Sequence, residues 1–462
     1  GVDARHHSMK AVFAVTLDRL PPDLRAVFTQ LAVFRGGSTR AAAQAVTGAD
    51  LRALQSLAGR MLLMRDSAGR FRVHELLRQY AEERLQENDQ YAAARSAHTA
   101  YFLQFLAERE ADVKGRRQAA ALKEIDEDFE NIRAAWEWAC SQDDFDRIDA
   151  ALESLNEYCS FQQRQAERYV LLQMALDSVE RAGQITLTGR LLARCWQTPA
   201  QGRARLRQAL RIALHTEIEA DIAYCIYQRG QVALLDNRDV AHKLFARAYA
   251  AYCELGDSFY RGLASSGLAV ALIYAGRAGQ AEQISGRELA VVRQSGNQFT
   301  LAAMLYNHAS SLATRGANAE ANRFHEEARA VMLAQGQRLM AADIHAWGMG
   351  VTALREGNFD VAEARALKLL DVAREYHSVV SEARALCILS AVALISGDPR
   401  RSYALAQSAT DLLGSHANAA YADAFLAAGA AALGEFELAA DACLRWLPLA
   451  VRVGEHVLTA LL

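Results

Sequence analysis

The chain has 462 residues, 52% of them hydrophobic, and 51 basic side chains against 54 acidic ones leave a net charge of −3. That balance argues against strong attraction to nucleic acid or an acidic membrane surface, and the apolar fraction suffices for a large core. Five prolines against abundant alanine and leucine predict an almost all-helical protein. With no run of 18 apolar residues and no signal peptide, the expectation is a soluble cytoplasmic protein without membrane contact. Seven cysteines (Cys140, Cys159, Cys195, Cys225, Cys253, Cys387, Cys443) form no Cys-x-x-Cys pair and read as small buried hydrophobes in a reducing compartment.

In chain order, Gly1 to Ala4 look dispensable, and Arg5 to Phe13 run into an apolar helix pattern. Pro21-Pro22-Asp23 can open a helix carrying Leu24, Val27, Phe28, Leu31 and Ala32, ended by Gly36-Gly37. Ser38 is the expected cap of a second helix to Val46, and Asp50 of a third that carries Leu51, Leu54 and Leu57 and stops at Gly59. Met61 to Arg65 and Arg70 to Val73 read as strands joined by Asp66-Ser67-Ala68-Gly69. Three helices and a β-hairpin predict a winged helix. His74 to Leu85, Tyr91 to Glu110 and Ala119 to Cys140 follow as helices, with aromatics at Tyr101, Phe102, Phe105, Phe129, Trp136 and Trp138.

From about Asp143 the chain repeats, raggedly at first and regularly from about Glu217. Glycines fall at Gly256, Gly296 and Gly336, and a second series at Gly276, Gly316, Gly357, Gly397 and Gly434. Each series steps by about 40 residues and the two interleave at about 20, one helix plus a turn. Ala281, Ala321, Ala362 and Ala439 follow five residues after glycines of the second series, where crossing helices leave room only for a small side chain. Ala321, Phe324, Ala328 and Met332 form one helical stripe, and Ala362, Ala366, Leu370 and Ala373 another. Such hairpins must stack to bury their apolar faces, which predicts an α-solenoid of roughly eight hairpins. Leu461-Leu462 ends on an apolar helix, and a longer natural chain is expected.

Gly357-Asn358-Phe359-Asp360-Val361-Ala362-Glu363-Ala364 resembles the turn and second-helix start of a tetratricopeptide repeat, and Arg315 to Ala321 is a weaker copy. The period exceeds the family's usual 34 residues, so longer helices are expected. The N-terminal block, through Leu31-Ala32-Val33-Phe34-Arg35-Gly36-Gly37-Ser38, Leu57 to Leu63 and Arg72 to Ala81, resembles the winged helix of STAND signalling ATPases, the NB-ARC and AfsR-like regulators in particular. Arg5 to Phe13 and Asp126 to Ala135 are similar to linkers flanking that domain. The resemblance implies that His74 reaches the β-phosphate of ADP and holds an inactive state closed, although Val73 and Glu75 stand where that family has Met and Asp. An alternative for His74 is a polar residue at a strand-to-helix junction.

No Gly-x-x-x-x-Gly-Lys-Ser/Thr loop occurs, so this chain alone is expected to be no enzyme and to bind no cofactor. ADP or ATP with magnesium belongs to a nucleotide-binding domain expected upstream, which makes the full-length protein an ATPase and that domain a partner. No catalytic constellation or metal site is visible: His98, His215, His242, His308, His325, His345, His377, His416 and His456 are scattered without ligand spacing. The expected organisation is mostly α: a winged-helix domain over 1–88, a helical linker over 89–142 and a tetratricopeptide-like α-solenoid over 143–462. First helices of solenoid hairpins line the groove, and a 40-residue shift aligns Gly267, Asn307, Trp347 and Cys387. Tyr306, Asn307, His345 and Trp347 are the expected contacts for an inducer, whether small molecule, peptide or protein. The leading expectation is a sensor region of a STAND-type ATPase or transcriptional regulator. The alternatives are a DNA-binding factor reading through Arg52, Gln55 and Arg60, against which the charge balance of residues 18–90 argues, and a protein-binding scaffold.

Overall fold

A computed structural model describes residues 14–67, 69–87, 90–234, 237–414 and 419–453; the linker-like segment at Arg5, His6-His7, His416, His456 and the terminal leucines lie outside them. The protein is mostly α, and its contacts divide it into two compact units. One comprises Gly1–Val113 with Arg117–Cys195, the other Lys114–Arg116 with Trp196–Leu462.

The first unit opens with helices α1 (Pro22–Gln30), α2 (Arg40–Thr47) and α3 (Leu51–Gly59), then the antiparallel strands β1 (Met64–Arg65) and β2 (Phe71–Arg72), paired Met64 with Arg72 and Arg65 with Phe71. Both strands are shorter than expected, β1 at its start and β2 at both ends. Met61 adopts φ 59°, and the Met61 and Leu62 N–H groups donate to the Ala58 and Leu57 carbonyls, so these residues finish α3 rather than start a strand. Ser38 does not cap α2: Thr39 does, accepting from the Ala42 N–H, while Ser38 is buried and bridges Phe71. Asp50 caps α3 as expected, accepting from Ala53 at 2.7 Å.

Helices α4 (Glu75–Gln86), α5 (Gln90–Ala107), α6 (Glu110–Val113), α7 (Gln118–Glu127), α8 (Phe129–Ser141), α9 (Phe145–Phe161), α10 (Gln165–Arg181) and α11 (Ile185–Arg194) complete this unit. A buried polar network ties the β-hairpin to α8. Asn131 accepts from the Arg35 N–H at 2.7 Å and donates to the Gly37 carbonyl at 2.9 Å, and Arg70 Nη1 pairs with Asp128 at 3.2 Å. Trp136, buried, donates to the Leu171 carbonyl at 2.9 Å.

The second unit begins with α12 (Pro199–Thr216) and continues as packed helix pairs: α13 (Glu219–Ala233) with α14 (Arg238–Leu255), α15 (Ser258–Tyr274) with α16 (Ala278–Ser295), and α17 (Gln298–Thr314) with α18 (Asn318–Ala334). Next come α19 (Arg338–Asp343), a π-turn (Ile344–Gly348) and α20 (Met349–Arg355) as one interrupted helix against α21 (Phe359–Glu375). The pairs α22 (Val379–Ile395) with α23 (Pro399–Leu413) and α24 (Ala419–Ala432) with α25 (Phe436–Val453) follow. Ala281, Ala321 and Ala362 are fully buried at the helix crossings, and both stripes read from the sequence face the core. Five of the cysteines are buried, but Cys253 is exposed and Cys443 half-buried.

The turns explain the glycine series. At Gly316 (φ 84°) the backbone N–H donates to Ala313, and the next N–H to Leu312, consuming two carbonyls that the helix end leaves unpaired. The same pattern recurs at Gly357 and at His377, a non-glycine at φ 52° that fills the turn after Gly357. Turn residues from Gly256 to Gly397 are spaced by 20 residues except once: Gly336 to Gly357 spans 21. That segment contains the π-turn, and a π-turn holds one residue more than the α-helix it interrupts. The extra residue is absorbed inside the helix, so the turns on either side keep their geometry.

Candidate functional site

A pocket of about 320 Å³ opens along the first helices of successive pairs in the second unit. Tyr274 of α15, Tyr306 and Asn307 of α17, Trp347 of the π-turn, Ile388 of α22 and Phe425 of α24 contribute to its wall, and His325 reaches it from α18. Three of the four expected contacts therefore meet here. His345 does not: two residues from Trp347 in the π-turn is about half a helical turn, which carries it to the opposite side. There burial, then Arg365 and Arg329, push its imidazole down to about 4. The 40-residue alignment also slips by one beyond the π-turn, so Ile388 lines the pocket where Cys387 was expected.

Asn307 is held rather than free, its Nδ2 donating to Ser266 Oγ at 2.7 Å. The Arg384 guanidinium lies 5.8 Å from the Trp347 ring centroid and 3.5 Å from Asp343, which also accepts from Ser381 Oγ at 2.8 Å. Trp347 is thereby fixed from the side facing α22. Burial pushes the Tyr306 phenol up to about 12. Arg355, a charged lining residue, donates to the Ala313 carbonyl at 3.3 Å, and no carboxylate lines the pocket among the described residues.

His325 escaped the sequence reading because it stands on a second helix. It is 1% exposed, and neither ring nitrogen has a hydrogen-bond partner among the described residues. Burial alone drives its imidazole down to about 4, so it is neutral at pH 7. Leaving a buried polar atom unmatched costs about 1–3 kcal/mol. A signal for it existed: a repeated 40-residue step relates Phe245, Ser285 and His325, and the first of these is a core ring.

In the first unit His74 is exposed at the start of α4 and makes no capping hydrogen bond. Beside it Arg78 pairs with Glu75 at 2.7 Å and Glu82 at 2.6 Å, and that guanidinium holds the Glu75 carboxyl down to about 2. A separate pocket of about 200 Å³ is lined by Gly37, Arg72, Val73 and Arg78. Arg52, Gln55 and Arg60 are exposed. Among the described residues no helix is long and apolar enough to cross a membrane, and no group of three or more His, Cys, Asp or Glu could hold a metal ion.

No family model and no curated protein matches the sequence. Among solved structures the chain is similar to a STAND protein with a tetratricopeptide repeat sensor from Pyrococcus horikoshii, at 14% identity and a TM-score of 0.47. The match covers 87% of this chain and 65% of that one, so this chain spans less than two thirds of that protein. It is also similar to a Rap protein complexed with competence and sporulation factor (17% identity, TM-score 0.49, 77% of this chain and 99% of that one). A third likeness is to the apo quorum sensor NprR from B. thuringiensis (14% identity, TM-score 0.43, 76% and 98%).

Proposed function

We propose that this chain is a non-catalytic sensor region, in which the helical repeats receive an inducer or partner and the N-terminal unit transmits its presence. The observation that carries this reading is the pocket itself. Side chains from the first helices of five successive pairs converge on one largely apolar site, with Tyr306 and Trp347 on its wall. A ligand bridging several repeats stabilises one curvature of a solenoid over others, because each repeat contacts chiefly its neighbours.

The sequence motifs of residues 31–81 support the further reading that the N-terminal unit is the winged helix of a STAND-type regulatory ATPase, with an upstream nucleotide-binding domain holding ADP or ATP and magnesium. His74, exposed at the start of α4, is then the nucleotide-sensing residue of the full-length protein. The test is His74→Ala in that protein: faster ADP release and higher basal activity are expected, and unchanged ADP retention refutes the role. For the repeats, Trp347→Ala is expected to abolish the inducer response while leaving basal activity intact; a retained response refutes the pocket.

A further inference from the structure

We propose that His325 anchors a ligand in the repeat pocket by hydrogen bonding to the uncharged hydroxyl or amide head of an otherwise apolar group. The inference rests on the reading of that pocket as the sensor site and adds the chemistry of what enters it.

The repeat provides an internal comparison. Phe245, two 40-residue steps before His325, lies fully buried against the backbones of Gly230 and Gly267. A Cβ added at Gly267 would meet its ring at 2.6 Å. His325 packs in the corresponding way against Gly348, where an added Cβ would lie 2.8 Å from Nε2, and its ring centroid is 5.3 Å from that of Tyr306. At Phe245 and His325 a ring fills the space beside a glycine, while Ser285 between them is small, and where a ring is present an apolar one satisfies the packing. Imidazole instead brings two polar atoms into a site that is 1% exposed and gives neither a partner among the described residues. This ring lines the pocket, so a bound group can supply a missing partner.

The same facts restrict the ligand. A neutral imidazole has one donor and one acceptor on divergent ring nitrogens, and a hydroxyl or an amide can pair with either one while a hydrocarbon can pair with neither. A cation would find no carboxylate on the lining. A volume of about 320 Å³ between Tyr306, Trp347 and Phe425 admits an aromatic or branched aliphatic body. The head group can belong to a free small molecule or to a side chain of a peptide.

The test compares probes of equal shape with and without the polar head, titrated into the intact chain. 2-Naphthol against 2-methylnaphthalene represents the free molecule, and N-acetyl-tyrosinamide against N-acetyl-phenylalaninamide the peptide side chain. The expected result is a preference of about tenfold or more for the hydroxyl-bearing member of at least one pair, and the discriminating pair identifies the source. His325→Phe, which copies the residue at the Phe245 position, is expected to bring the preference to unity, while Trp347→Ala weakens both members of the pair. In the wild-type chain the His325 ring nitrogen resonances are expected to shift with the hydroxyl-bearing probe, a readout that does not depend on the variant folding. Equal binding within both pairs, weakened by Trp347→Ala, leaves the pocket standing and overturns the role of His325, as does a preference that survives His325→Phe. Failure of every probe to bind overturns the pocket and the inference together.

Discussion

Substituting Gly267 by alanine distinguishes a packed interface from an ordinary helix. A Cβ at Gly267 would lie 2.6, 2.7 and 2.8 Å from Cε1, Cζ and Cδ1 of Phe245, closer than real Cβ contacts come. The ring has little room to shift, because Gly230 also crowds its Cδ1–Cε1 edge, where an added Cβ would meet it at 2.9 Å. Overpacking of this kind costs about 1–3 kcal/mol, and the better helix propensity of alanine returns about 1 kcal/mol. The net expectation is a loss of up to about 2 kcal/mol, read as a fall of up to roughly 8 °C in the unfolding midpoint of the repeat unit. Gly279→Ala is the matched control, since nothing lies within 4 Å of a Cβ there, and it is expected to leave the midpoint unchanged or raise it slightly. Adding Phe245→Leu to Gly267→Ala should recover part of the loss through a coupling of about 1 kcal/mol. Thermal unfolding followed by circular dichroism measures all of these. Stabilisation by Gly267→Ala of the size seen in the control would refute the wedged-ring argument.

Glu288 is fully buried and receives Arg261 at 2.7 and 2.8 Å and the Tyr249 hydroxyl at 2.7 Å, with Arg287 farther off at 3.6 Å, so Arg261→Ala removes its nearest cation. A loss of about 3 kcal/mol is expected in denaturant unfolding, the low end for a broken buried pair because Arg261 is itself partly exposed, and Glu288→Gln added to it should recover part of the loss. At His377 (φ 52°) glycine is expected to stabilise by about 0.5–1 kcal/mol, checked by the same unfolding curves, because the left-handed conformation penalises a side chain there. Stability should also depend on the buried His325. Its folded pKa of about 4 lies below the ordinary histidine value of 6.5, so the unfolded chain binds the proton first. Stability present above pH 6.5 is then lost as the pH falls towards 4, by at most about 1.4 kcal/mol per pH unit for this one group, and His325→Phe should flatten that limb of a stability–pH curve.

The repeat architecture was legible because its marks are local. A turn needing a left-handed residue selects glycine, and helices crossing closely select alanine, so Gly316 and Ala321 announce themselves at a fixed spacing. The pocket was legible in part: Tyr306, Asn307 and Trp347 stand on first helices, the last two at matching phase. His345 was misplaced because proximity in sequence to Trp347 outweighed helix phase, and about half a helical turn separates them. The π-turn left one trace, the interval of 21 residues between Gly336 and Gly357, but spacing alone does not say whether a loop or a helix holds the extra residue. His325 needed comparison across the repeat with Phe245, since a histidine on the core side of a second helix looks like any other buried polar residue. In the N-terminal unit, Ser38 and Thr39 offer the same capping chemistry, and only the bridge from Ser38 to Phe71 decides that Thr39 takes the cap.

The account turns on whether the pocket between Tyr306 and Trp347 is a ligand site. Crystals of the chain soaked with 2-naphthol test this most directly. The account predicts density for the bicyclic ring beside Trp347, with its hydroxyl within hydrogen-bonding distance of a His325 ring nitrogen. A pocket that stays empty at saturating concentration, or a ring bound elsewhere on the repeats, would contradict it.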